Sequence, residues 1–187
     1  MRNRKRIGIV MAGVAALALA VVAWQLAPQA KTSVLLVTLD TTRADRLGCY
    51  GYARAETPVL DRLAREGLRY TRAYCQTPLT LPSHATLLTG RLPPEHGLRD
   101  NGRGRLAGTT PTLPKVLQQR GYRTAAFLAS FVLDRRFGLA QGFEVYDDRM
   151  SPAPRGHNIF NRENRGDVVC ERALDWLGRN ARKAYRQ

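Results

Sequence analysis

Two short stretches carry side chains whose type and spacing suit chemistry on an anionic ester. The first holds Asp40, directly after the apolar run Ser33 to Leu39, with Arg43 and Asp45 within one turn. A carboxylate there is a good ligand for a hard divalent cation, which takes oxygen donors. It is also the residue type of an N-cap or a turn. Asp45 has Arg43 and Arg46 beside it, and a surface ion pair of that kind contributes little. The second stretch is Thr80-Leu81-Pro82-Ser83-His84. Pro82 marks the first turn of a helix, which sets Thr80 just ahead of an N-terminus whose unpaired N–H groups and dipole favour an anion. A hydroxyl so placed and activated by a metal is a nucleophile toward a sulfuryl or phosphoryl centre; the alternative is a capping threonine. His84, one turn on, either faces the same anion or covers the surface. His96 and Asn101 stand in a loop rich in Gly, Pro and Arg, which is either solvated or laid over a site to supply contacts. His157, in a polar loop, carries no usable signal.

The elements that must position these groups are readable from the pattern. Ser33 to Leu39 is continuously apolar, β-branched and too short for a helix, as a parallel strand covered on both faces would be. Asp40 then projects into the crevice outside the carboxyl end of the sheet, where open α/β sheets bind ligands. Thr57-Pro58 opens a helix with Thr57 as N-cap, an apolar stripe of Val59, Leu60, Leu63 and Ala64, and Gly67 as its end. Leu68 to Ala73 is a second predicted strand. A helix from Pro82 closes at Gly90, and the loop 91–108 follows. Thr112 to Gln119 is a third helix stopped by Gly121, and Tyr122 to Leu128 a third strand. Met150 to Asn164 is a polar surface loop, and Asp167 to Ala184 returns to helical spacing. Strands alternating with helices predict an α/β sheet with right-handed crossovers.

The 187 residues allow one domain, and 44% hydrophobic content is enough for a core. Thirty Lys and Arg against fifteen Asp and Glu make the chain strongly basic. Most of the arginines are scattered singly and the one dense run, Arg2 to Arg6, sits directly before an apolar stretch. With neither a clustered face nor a nucleic-acid-binding motif, no nucleic-acid partner is expected. A positive surface suits substrates bearing sulfate or phosphate. Ile7 to Trp24 has no charged or strongly polar side chain and approaches the length of a membrane-crossing helix. Arg2, Arg4, Lys5 and Arg6 in front would keep the N-terminus in the cytoplasm and place residues after Ala30 outside, in the periplasm or extracellular space. The alternative is a cleaved signal peptide, with small residues at Ala27-Pro28-Gln29-Ala30. Residues 1–30 are thus read as an N-terminal signal anchor and 31–187 as the N-terminal part of a catalytic domain. Cys49, Cys75 and Cys170 show neither a close pair nor metal-ligand spacing, and leave room for one disulfide and an odd thiol.

Together, VLLVTLDTTRADRLGCYGY (34–52), TPVLDRLAREGLRYTRAYC (57–75), TLPSHATLLTGRLPPEHGL (80–98) and TLPKVLQQRGYRTAAF (112–127) resemble the sulfatase family of the alkaline-phosphatase-like superfamily. The resemblance implies an α/β/α sandwich with a mostly parallel sheet, incomplete at the C-terminus here. It also implies a divalent metal ion (Ca, Mg, Mn or Zn), with Asp40 matching the family's first metal-binding aspartate. Thr41 stands where a second aspartate is frequent. Thr80 occupies the position matured to formylglycine in true sulfatases, so formylglycine is not expected. His84 replaces the signature arginine, and Ala129 and Phe131 stand about where a lysine and a histidine are usual. A threonine nucleophile resembles instead the phosphoethanolamine and phosphoglycerol transferases of the superfamily and their phosphatase and phosphodiesterase relatives. The Asp-His or Asp-Asn pair that completes the family's metal site has no counterpart in these 187 residues.

Two readings follow. In one, the chain is a membrane-anchored hydrolase or transferase of sulfate or phosphate esters. Thr80 is the nucleophile and, with Asp40, a metal ligand; His84 is catalytic; Asn101 and His96 contact substrate. In the other, it is a catalytically inactive sulfatase-like remnant serving as a membrane-tethered binding module.

Overall fold

The computed structural model describes residues 32–152, 156 and 158–184. The predicted anchor Ile7 to Trp24 and His157 lie outside them. Among the described residues no helix is long and apolar enough to cross a membrane.

The chain divides into two units, Met1–Leu39 and Asp40–Gln187. In the first, residues 32–39 form no helix or strand. Val34, Leu35, Val37 and their neighbours are exposed, Leu35 by 79%. The predicted buried strand is therefore not formed. A parallel strand of this composition is defined by neighbours that cover both its faces, and none of the described strands pairs with it. The same correction applies to Leu68 to Ala73, where Leu68 is 88% exposed and no strand is present.

The second unit begins with two 3₁₀ turns, Ala44–Arg46 and Gly48–Tyr50. Helix α1, Pro58–Glu66, follows. Thr57 precedes it as expected, but its hydroxyl accepts from the Gly48 N–H (3.0 Å) and donates to Asp61 Oδ1 (3.2 Å), so it ties the turn to the helix instead of capping. Helix α2, Thr80–Thr89, ends at Gly90 in the left-handed conformation that glycine tolerates. A single turn α3, Pro93–His96, leads into the rest of the loop, and helix α4 spans Leu113–Gln119. Thr112 caps α4, accepting from the Lys115 N–H, and Arg120 and Gly121 close it.

Strand β1, Ala125–Phe127, lies inside the predicted Tyr122 to Leu128. It pairs in parallel with β2, Val145–Asp147, in the register Ala125 with Val145. The sequence reading missed β2. Helix α5, Gly166–Ala184, packs on β1 through Trp176 against Phe127, ring centroids 6.3 Å apart. The core lies between α2 and the segment joining the strands: Leu81, Ala85, Leu98, Leu106, Phe131, Val132, Leu133, Phe137 and Leu139. Phe131 is 2% exposed and meets Phe137 and Phe160 edge-on, so this position packs the interior. A small parallel sheet flanked by helices is an α/β arrangement.

Candidate active site

The two stretches singled out from the sequence meet. Thr80 Oγ1 donates to Asp40 Oδ2 at 3.0 Å across forty residues of sequence. The other carboxylate oxygen, Oδ1, accepts from the Thr41 N–H at 3.0 Å. Asp40 is exposed and Thr80 half-buried. Thr41 has φ 55°, the left-handed region that a β-branched residue seldom enters. Such strain costs about 1–2 kcal/mol. It is stored one residue from the carboxylate. The Arg43–Asp45 pair, by contrast, is an exposed bidentate contact; the hydrogen bond from Arg43 holds the Asp45 carboxyl below its usual range.

Thr80 is the first residue of α2 and not the residue ahead of it, so Pro82 falls third in the first turn, where its missing N–H costs nothing. The expected cradle of open N–H groups is narrower than the pattern implied. Asn101 Oδ1 accepts from the Leu81 N–H at 2.9 Å, Pro82 has no N–H, and the Ser83 N–H bonds to the Leu79 carbonyl. Asn101 thus reaches from the loop to cap α2 at the residue after the candidate nucleophile. His84 Nδ1 lies 2.8 Å from the Thr80 carbonyl oxygen, an acceptor only, so the proton sits on Nδ1. Its ring is held one turn below Thr80.

His96 is not on the surface. It is 6% exposed, its Nε2 lies 3.0 Å from Thr86 Oγ1, and its Nδ1 accepts from the Leu98 N–H at 3.2 Å. The protein occupies both ring nitrogens. The partner residue Thr86 was missed in the sequence, where no local spacing links it to a histidine ten residues on. The site as built is Asp40, Thr80 and His84, steadied by Asn101 and, deeper, His96. Cys49, Cys75 and Cys170 are free thiols.

A divalent ion is what the fold family implies. Asp40 and Thr80 offer hard oxygens of the right type, but two are too few for a tight site, since Ca²⁺ takes roughly 6–8. Among the described residues no group of three or more His, Cys, Asp or Glu is placed to hold an ion. The described residues therefore do not make up a metal site, and no chemical step is assigned to one.

The family model described as Sulfatase matches residues 32–184. The chain belongs to the sulfatase family, within the alkaline-phosphatase-like superfamily. It is 30% identical over 154 residues to the N-acetylglucosamine-6-O-sulfatase of Bacteroides thetaiotaomicron, an alignment covering 79% of this chain and 27% of that one. It is 42% identical over 101 residues to the steryl-sulfatase of Mus musculus, covering 49% and 16%. Among solved structures, a protein in complex with its substrate D-glucosamine-2-N,6-O-disulfate superposes with TM-score 0.58 at 29% identity, covering 72% of this chain and 28% of that one. The chain thus spans between 16% and 28% of the length of these relatives.

Proposed function

We propose that the chain carries the nucleophile of a sulfatase-like hydrolase or transferase of sulfate or phosphate esters, with Thr80 in that role. The observation that carries this is the Thr80–Asp40 hydrogen bond at the start of α2. A carboxylate accepting from a hydroxyl both orients its lone pairs and can take its proton, which is general-base activation of a nucleophile. As Thr80 Oγ1 attacks the sulfur or phosphorus, its proton passes to Asp40 Oδ2 and the bond to the ester oxygen breaks, releasing an alkoxide that takes a proton from water. Water or an acceptor alcohol then attacks the Thr80 ester, giving up its own proton to solvent, and Asp40 returns its proton to Thr80 Oγ1 as the hydroxyl is regenerated. The dipole of α2 stabilises the anionic group held at its N-terminus, and His84 is the proposed contact to that group. Asn101 keeps the helix start in place.

The substrates named for the relatives suggest a sulfated ester; the threonine at the nucleophile position keeps phosphate esters in view. A membrane-tethered, extracytoplasmic location belongs to the same proposal and rests on the apolar run Ile7 to Trp24 behind Arg2 to Arg6. A protease-protection assay on membrane vesicles tests it, and cleavage of the catalytic part from the cytoplasmic side would refute it.

The activity is tested by hydrolysis of aryl sulfate and phosphate esters beside Thr80→Ala and Asp40→Asn, with calorimetric titration of Ca²⁺, Mg²⁺, Mn²⁺ and Zn²⁺. Turnover abolished by either substitution supports the reading. The absence of a three-ligand group among the described residues favours a second one, a catalytically silent binding module. It predicts no turnover together with retained folding.

A further inference from the structure

The loop between α2 and α4 grips α2 at two points. One is Asn101 on the Leu81 N–H. The other is His96, the last residue of α3, which reaches Thr86 a turn and a half past Thr80. The tautomer of His96 follows from its partners. A backbone N–H can only donate, so Nδ1, which receives the Leu98 N–H, carries no proton. The ring proton is then on Nε2, donated to Thr86 Oγ1. Both bonds are satisfied only by the neutral ring. A second proton would have to sit on Nδ1, facing the Leu98 N–H donor in a site 6% exposed. Buried groups with unmatched hydrogen bonds are strongly disfavoured.

We propose that His96 is a positioning residue: neutral and protonated on Nε2, it ties the loop to α2 and so holds Thr80, and taking up a second proton releases that tie. This rests on the reading of Thr80 as nucleophile. The charged group near the ring is Glu95 of its own turn, whose carboxylate caps the Leu92 N–H at 2.7 Å. From α2 come Thr86 and the Pro82 carbonyl; the titratable residue on that helix is His84, whose Nδ1 serves Thr80. Burial lowers the His96 pKa from the ordinary imidazole value, against smaller opposing effects of nearby backbone carbonyls and Glu95. The unfolded chain therefore binds the proton more readily than the folded one. Stability from the neutral ring is complete above the unfolded value, about 6.5, and is lost as pH falls through the lowered folded value.

The test is NMR on the intact chain, reading the His96 ring nitrogens and the exchange protection of the Leu81 amide at about pH 7.5 and about pH 5. His96→Gln is the comparison, since its side-chain amide can donate to Thr86 and cannot titrate. Expected are an unprotonated Nδ1 at the higher pH and a fall of about tenfold or more in Leu81 protection on acidification. In His96→Gln that fall, corrected for intrinsic exchange, disappears. A protonated Nδ1 at the higher pH overturns the proposal, even if the variant fails to fold. An acid-induced loss that persists in His96→Gln assigns the effect to His84 or another group and also overturns it. If the wild type turns over ester, kcat follows the same acid limb and His96→Gln lacks it; a limb unchanged in the variant contradicts the proposal. Inactivity of the wild type would sink the nucleophile reading alone and leave the exchange result standing.

Discussion

Removing the side-chain cap of α2 isolates the contact that sets Thr80 in place. In Asn101→Ala the Leu81 N–H loses its acceptor at 2.9 Å, beside a side chain that is 0% exposed. Losing a helix cap costs about 1 kcal/mol, and leaving a partly buried N–H without a partner about 1–3 kcal/mol. These describe one lost bond and are not added, so the expected destabilisation is about 1–2 kcal/mol. For a chain of this size that is a fall of roughly 3–6 °C in Tm. Asn101→Asp keeps the acceptor and places a negative charge near the helix N-terminus, which is favourable by about 0.3–1 kcal/mol. The assay is urea unfolding followed by far-UV circular dichroism, with equal m-values required before midpoints are compared. An alanine variant within about 0.3 kcal/mol of wild type would refute the capping argument. So would an aspartate variant as unstable as the alanine one.

Asp147 is 8% exposed, and its carboxyl is held below the usual range chiefly by the hydrogen bond from Arg149, with Arg172 adding to it. The unfolded chain binds that proton more readily, so this stability is present above pH ~4 and is lost as pH falls through the lowered value. Asp147→Asn should cost about 1–2 kcal/mol at neutral pH and flatten the acid limb of the urea midpoint; an unchanged limb rules this out. Gly138 has φ 83°, and a Cβ there would lie 2.6 Å from the Leu106 carbonyl oxygen and 3.0 Å from its nitrogen. Gly138→Ala should therefore destabilise by about 2–4 kcal/mol in the same assay, and a loss under 1 kcal/mol contradicts the geometry. At Thr41, Thr41→Asn relieves the left-handed strain and should raise stability by about 0.5–1 kcal/mol, with a fall in Tm as the contrary result.

What the sequence revealed depended on how local the signal was. The helix at Thr57 is marked by a threonine before proline, that at Thr112 by the Gly121 stop and that at Asp167 by apolar spacing, and each lies within a residue or two of its expected place. Asp40 and Thr80 stand out singly as candidate groups, but their hydrogen bond joins residues forty apart and has no local sequence signal. Strands were not legible either, since strand identity lies in the partner. Ser33 to Leu39 has the composition of a strand and no partner among the described strands, whereas Val145–Asp147, short and half-buried, becomes one by pairing with Ala125–Phe127. His96 was misplaced for a related reason. An Arg-rich loop reads as solvated, but Leu98 and Leu106 within it are 1% exposed and draw the loop, with His96, onto α2.

The most direct test of the central claim is mass spectrometry of the acid-quenched chain during incubation with an aryl sulfate or phosphate ester. Expected is a peptide carrying one sulfuryl or phosphoryl group on Thr80, absent from Thr80→Ala and diminished in Asp40→Asn. Ester turnover that persists undiminished in Thr80→Ala, or a label on a different residue, would contradict it.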